Sequence, residues 1–323
     1  MKKLIGIVAG DPQSINSEII AKAWKKRDNF RNLNIFIIGS YDLIKKQLKN
    51  LKIKLNLKKI HNLRHQNFKK DLLIYDVPLS FNKAFNLPLK VKKNYVINSL
   101  NIAIKFSKNK KIFGFINCPI NKSEIFNNNY GVTELTAKKL GVLGSEAMLI
   151  YNKKLSVCPI TTHIKLGQVT NNLSKMKILK KIITINNFYK DKFKIKPRIG
   201  VLGLNPHNNE LKKNSEEKRI ILPTIKILKK KGYKIIGPIP ADTAFLKSKL
   251  ENFDVLVGMY HDQVLSPFKA LFNFDAINIT LGLPFLRVSP DHGTGRDILK
   301  KNLASPQSLI ESIKFFNKIN VKT

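Results

Sequence analysis

The chain has 323 residues, 43% of them hydrophobic, and a formal net charge of +38. That length can bury one large core or two medium ones, and the apolar content is ordinary for a globular protein, so a disordered chain is excluded. The charge invites a nucleic-acid reading, but lysines run from Lys2 to Lys322 and only seven of the 59 basic residues are arginine, so no clustered phosphate-binding face stands out and no specific nucleic-acid partner is expected.

The opening MKKLIGIVAGD reads as a first strand, because Asp11 ends its apolar stretch too early for a secretion signal. Further strand-like runs are NIFIIG, DLLIYDV, KIFGFINCPI, LSVCPITT, IGVLGLN, YKIIGPI, DVLVGMY and INITLGL. Between them, SEIIAKAWKKR, YDLIKKQLKNL, NYVINSLNIAIKFSKN, SKMKILKKIITINNFY, EEKRIILPTIKILKKKG and SLIESIKFFNKI repeat apolar residues at helical spacing, with lysines on the remaining face. This alternation predicts a mainly parallel α/β architecture in two lobes flanking a cleft. No run approaches the roughly 20 apolar residues of a membrane span, so no membrane partner is expected. Cys118 and Cys158 form no C-x-x-C pattern; they are expected as buried thiols in a reducing, cytoplasmic setting.

Three histidines each end an apolar, β-branched run: LSVCPITTH at His163, RIGVLGLNPH at His207 and DVLVGMYH at His261. One such histidine is more often structural than a ligand, but half of the chain's six histidines share the placement. Open parallel sheets bind ligands beyond the carboxyl ends of their strands, and three neutral imidazoles gathered there would hold a divalent ion with positions left open.

Other strand exits carry weaker signals. GDPQSINSE, from Gly10 to Glu18, is a turn that either receives an anion on its N–H groups or is capped by Ser17. NCPINK offers Lys122 to a phosphate or carboxylate, or is a plain turn. In GPIPADTAF, two prolines fix the backbone ahead of Asp242, placed to orient a metal ligand, bind a cofactor hydroxyl or cap a helix. Asp262 adjoins His261, and Lys269 follows by eight residues, about two turns of a helix. Asn278 and Arg287 flank another strand-like run, so Lys269, Asn278 and Arg287 either grip an anionic substrate together or are three surface residues. DHGTGRD, from Asp291 to Asp297, is a polar loop suited to backbone contacts with a ligand. The chain contains no G-x-G-x-x-G, Walker A or G-x-S-x-G motif.

The ordered set GDP, PINK, TTH, GLNPH, GPIPADT, MYHDQ and NITLGLPFLR, in a match running from GDP at Gly10 to HGT at Gly293, resembles the 4-hydroxythreonine-4-phosphate dehydrogenases of pyridoxal phosphate biosynthesis. The resemblance implies a two-lobed α/β/α fold like that of isocitrate and isopropylmalate dehydrogenases. Residues 1–120 with 290–323 would form one lobe, and 121–289 a second lobe carrying the metal ligands and a dimer interface. It implies NAD or NADP as cofactor and a divalent metal, Zn²⁺, Mg²⁺ or Co²⁺, held by His163, His207 and His261 from both chains of a homodimer. Thr133, Lys269, Asn278 and Arg287 match substrate-binding positions, and Asp242 and Asp262 are candidates for orienting a ligand or moving a proton. The implied reaction oxidises 4-phosphohydroxy-L-threonine to a β-keto acid, 2-amino-3-oxo-4-phosphooxybutanoate, which decarboxylates to 3-amino-2-oxopropyl phosphate. Departures are Val132 where the family has a substrate-contacting histidine, GDPQSINSE for a glycine-rich turn, and NNELKKNSEE without the usual glycines after NPH. Val132 keeps open a sister dehydrogenase acting on phosphorylated threonate or erythronate; a noncatalytic, lysine-rich nucleic-acid binder is the more distant alternative.

Overall fold

The computed structural model describes residues 2–126, 131–144, 146–273 and 275–319. In chain order its strands are β1 (Lys3–Val8), β2 (Leu33–Gly39), β3 (Leu57–Ile60), β4 (Leu72–Asp76), β5 (Gly114–Asn117), β6 (Ala147–Tyr151), β7 (Ser156–Pro159), β8 (Ile199–Leu202), β9 (Ile235–Ile239), β10 (Val255–Gly258), β11 (Ile277–Leu281) and β12 (Leu286–Pro290). Two units divide the chain: Met1–Gly131 with Pro284–Lys318, and a second built on Val132–Leu283. The expected breaks at 120/121 and 289/290 lie elsewhere in this division, for a structural reason. Asn121 N donates to the Asp11 carboxylate at 3.3 Å, and Leu286, Arg287 and Val288 of β12 pair with β5, so both segments stay with the first unit.

In the first unit the strands run β3-β4-β2-β1-β5-β12, all parallel. Continuous apolar runs such as Ile35–Ile38 are buried along their length, as expected of strands covered on both faces. Helix Leu89–Lys108 packs on β1, β2 and β5, and helix Gln307–Lys318 on β12. Ser40 caps helix Tyr41–Asn50 by accepting from Leu43 N at 3.3 Å, satisfying one of its orphan donors.

In the second unit the order is β11-β6-β7-β10-β8-β9. Here β6 is antiparallel to both β11 and β7, while β7, β10, β8 and β9 are parallel. Helix His261–Phe272 lies against β7 and β10. Its apolar stripe, Val264, Leu265 and Phe268, is buried in one cluster with Val157 of β7, Leu202 of β8 and Leu256 of β10, so a single helix clamps the three strands whose exits carry the histidines. No helix among the described residues is long and apolar enough to cross a membrane.

Phe268 is fully buried in that cluster; Phe268→Ala is expected to cost about 3–5 kcal/mol through lost burial and a residual cavity, read as a lowered urea midpoint, and a shift below about 1 kcal/mol would show that the helix is not the clamp.

Candidate active site

The pairing of β10 with β7 continues past the strand ends. Ile160 N donates to Gly258 O at 2.8 Å, and Thr161 N and Oγ1 to Met259 O at 3.1 and 2.8 Å. His163 and His261 therefore leave the sheet side by side, with ring centroids 5.6 Å apart. On the other flank of β10, Gln263 ties the exits together. It accepts from Met259 N at 2.7 Å and donates to Gly203 O, just past β8, at 2.7 Å. Three neighbouring parallel strands thus end in the three predicted metal-ligand histidines.

Within one chain these histidines do not form a complete site. Among the described residues no three His, Cys, Asp or Glu side chains gather closely enough to hold a metal; His163 pairs with His261, and His207 stands apart on its own turn. His261 Nδ1 lies 2.8 Å from Asp262 Oδ1, a contact that favours a proton on Nδ1 and leaves the Nε2 lone pair for a metal. Both thiols are unsuited to ligation in their present setting: Cys118 and Cys158 are free and buried, and burial pushes the Cys158 thiol up to about 11 and Cys118 higher still.

The His207 turn is strained. His207, Asn208, Asn209, Glu210 and Leu211 all have φ between 46° and 57°, a left-handed run that costs L-residues about 1–2 kcal/mol each, asparagine least. His163 is also left-handed, at φ 33°. Strain of this kind persists where surrounding structure over-determines it, and here Glu217 fixes the backbone that enters the run. Its buried carboxylate accepts from Leu204 N and Asn205 N, both at 2.8 Å, and from Asn205 Nδ2 at 3.0 Å. Burial alone would raise the Glu217 pKa, but these donated hydrogen bonds outweigh it and hold the carboxyl below its ordinary value.

The predicted substrate-binding residues fall in different places. Thr133, on helix Val132–Leu140, shares a 3.3 Å hydrogen bond with Thr280 of β11. It also lines a cavity of about 200 Å³ with Glu134, Thr161, Thr162, Lys177 and Lys181. Asn278 is two residues from Thr280, hence on the same face of β11, and its Oδ1 is buried without a hydrogen-bond partner, as is Asn208 Oδ1 next to His207. Helix His261–Phe272 does contain Lys269, but eight residues advance it about 12 Å and roughly 80° past two full turns, so it does not stack over His261. Arg287 belongs to the first unit; it is 4% exposed and its Nε donates to Asn117 Oδ1 at 2.6 Å. Asp242 is exposed on the Ala241–Ala244 turn after β9, two strands from β10.

The polar motifs of the first unit knit together around a residue that no motif marked. Lys92 is 2% exposed; its Nζ donates to Gln13 Oε1 at 2.9 Å and pairs with Glu124, which Arg296 also grips at 2.7 Å. Burial lowers the pKa of this ammonium. GDPQSINSE, the PINK exit and DHGTGRD are thereby joined. Gly10, at φ 75°, is required there, since a Cβ would lie 2.7 Å from Cys118 O and Pro119 O. The expected Ser17 cap is corrected. The helix starts at Asn16 after Ile15, and the Ser17 hydroxyl instead meets Gln47, whose amide is held by Pro12 O and Ala84 O. Sequence reasoning also missed Glu217, Gln263 and Lys181, whose half-buried ammonium donates to Pro159 O at 3.2 Å.

Residues 31–316 match the family model described as pyridoxal phosphate biosynthetic protein PdxA. The chain belongs to the PdxA family. It is 40% identical over 316 residues, 96% of each chain, to the 4-hydroxythreonine-4-phosphate dehydrogenase of Sulfurihydrogenibium sp. (strain YO3AOP1). It is 34% identical over 321 residues, 97% of each, to the D-threonate 4-phosphate dehydrogenase of Salmonella typhimurium (strain LT2). Among solved structures, 4-hydroxythreonine-4-phosphate dehydrogenase from Klebsiella pneumoniae superposes with TM-score 0.81 at 30% identity, covering 97% of this chain and 98% of the other. Isocitrate dehydrogenase from Methylococcus capsulatus shares the fold at TM-score 0.50 and 12% identity, over 96% and 83% of the two chains. This PdxA-family member is thus an oxidoreductase by kinship with the expected α/β fold.

A carboxyl held below its ordinary value of 4.5 contributes fully above that value and loses its contribution as pH falls through the lower, folded value. Glu217→Gln is therefore expected to lower stability by about 1–3 kcal/mol near neutrality and to flatten the acid limb of stability against pH; an unchanged acid limb would remove Glu217 as the anchor of the His207 turn.

Proposed function

We propose that this chain is a metal-dependent, NAD- or NADP-linked dehydrogenase that oxidises 4-phosphohydroxy-L-threonine to 2-amino-3-oxo-4-phosphooxybutanoate, which decarboxylates to 3-amino-2-oxopropyl phosphate. The observation that carries the reading is the exit of His163, His261 and His207 from three neighbouring parallel strands, in a chain whose relatives include dehydrogenases named for that substrate. The setting proposed is a cytoplasmic homodimer with the active site at the subunit interface and histidines contributed by both chains. That arrangement suits a chain in which His163 and His261 stand together while His207 does not complete their set.

The donor set fits a divalent ion, since imidazole suits Zn²⁺ and substrate oxygens would also admit Mg²⁺ or Co²⁺. Held there, the ion would supply Lewis-acid stabilisation of negative charge on the oxygen being oxidised. Asp262 holds the His261 ring and its tautomer through the 2.8 Å contact. Thr133 and the unpartnered Asn278 Oδ1 orient polar groups of the substrate, while Lys269 and Arg287 offset its anionic charge. Asp242 is the remaining candidate for moving a proton.

A second reading, oxidation of phosphorylated threonate, has its own support. Val132, where a substrate-contacting histidine was expected, is 3% exposed, and relatives named for D-threonate 4-phosphate match nearly the whole chain.

The test is NADH formation from each substrate with and without added metal, in wild type and His207→Ala. The threonine phosphate is expected to be oxidised faster, and the variant to lose at least about a thousandfold in turnover, about 4 kcal/mol of transition-state stabilisation, with an unchanged urea midpoint. Preference for the threonate phosphate would establish the second reading, and near-normal turnover of His207→Ala at saturating metal would defeat the ligand assignment.

A further inference from the structure

At the amino ends of β1 and β2, opposite the exits that carry the motifs of the first unit, lies a cavity of about 310 Å³. Trp24 and Phe68 contribute aromatic walls, and Lys2, Arg27, Arg31 and Lys69 contribute cations. The one carboxylate in its lining, Asp28, is engaged by Arg31 at 3.0 Å. The Arg27 guanidinium sits 5.5 Å from the centre of the Trp24 ring, a cation–π contact that fixes a positive charge at the aromatic wall. Lys2 Nζ, donating to Arg31 O at 2.9 Å, adds another to the lining.

From this combination we infer a second ligand site, separate from the proposed active site, for a small organic phosphate that carries a planar ring. The cations match a phosphate. The aromatic walls match a ring, which a general attraction of anions to a chain of +38 net charge would not require. The volume stands at the lower end of the roughly 300–1,000 Å³ usual for ligand cavities, which suits a mononucleotide-sized molecule and is small for a dinucleotide cofactor.

Trp24 is the only tryptophan in the chain, so tryptophan fluorescence reports on a residue that lines this cavity. The experiment titrates the intact protein with 5′-AMP while NAD is present in excess to fill the cofactor site, and repeats it with ribose 5-phosphate and with inorganic phosphate. Equilibrium dialysis of 5′-AMP runs alongside as a second readout. The expected result is saturable binding of 5′-AMP by both readouts, at least about tenfold tighter than ribose 5-phosphate, a difference of about 1.4 kcal/mol. Binding should be lost in an Arg27→Ala, Lys69→Ala double variant that keeps wild-type dehydrogenase activity. Equal response to all three anions, absence of saturation, or binding that survives in the double variant would each overturn the site.

Discussion

The parallel pairing of β7, β10 and β8 is the constraint on which the proposed chemistry depends. Parallel strands bring their carboxyl ends to one edge, so three histidines that lie far apart in sequence emerge next to one another. The hydrogen bonds that extend beyond the strands, from Ile160 and Thr161 to Gly258 and Met259 and from Gln263 to Gly203, set that edge more tightly than the ladders alone would. Helix His261–Phe272 both starts at a histidine and buries Val264, Leu265 and Phe268 across the same three strands. Core packing and site geometry are therefore one construction.

Polar burial is spent where the two sets of exits must hold their shape. Glu217 holds Leu204 and Asn205, the backbone leading into a left-handed turn of five non-glycine residues at the β8 exit, and Lys92 with Glu124 joins the three exit motifs of the first unit. A buried charge deprived of its partners costs several kcal/mol, so each network tolerates little change. In the second unit, Asn208 Oδ1 beside His207 and Asn278 Oδ1 on β11 are buried without a hydrogen-bond partner, in contrast to the bonded Glu217 carboxylate.

The strands of β-branched residues, such as Ile35–Ile38 and Val255–Val257, were legible because burial on both faces demands an unbroken apolar run. Three strands were not. Lys58 and Lys59 are exposed in β3, β12 carries a buried arginine, and β6, AMLIY, is short and has Ile150 as its only β-branched residue. Helix Val132–Leu140 escaped notice because it buries Val132, Thr136 and Ala137 rather than a stripe of large side chains. The histidines, Asp262 and Asn278 could be picked out as strand-exit or motif residues; Glu217 and Lys92 lie outside every motif, and Gln263, though inside MYHDQ, carries no signal of the contact it makes. Their importance arises from contacts between segments distant in sequence, and neither residue type nor spacing records those. Nor did NNELKKNSEE announce a left-handed turn, since glycine, the usual marker, is missing from it.

The most direct test of the three-histidine site reads the metal itself. Cobalt(II) titrated into metal-stripped protein and followed by visible absorption should saturate at one ion per chain, with ligand-field bands that disappear in His163→Ala, His207→Ala and His261→Ala alike. Bands that survive any one of these substitutions, or the absence of saturable binding by the wild-type protein, would contradict it.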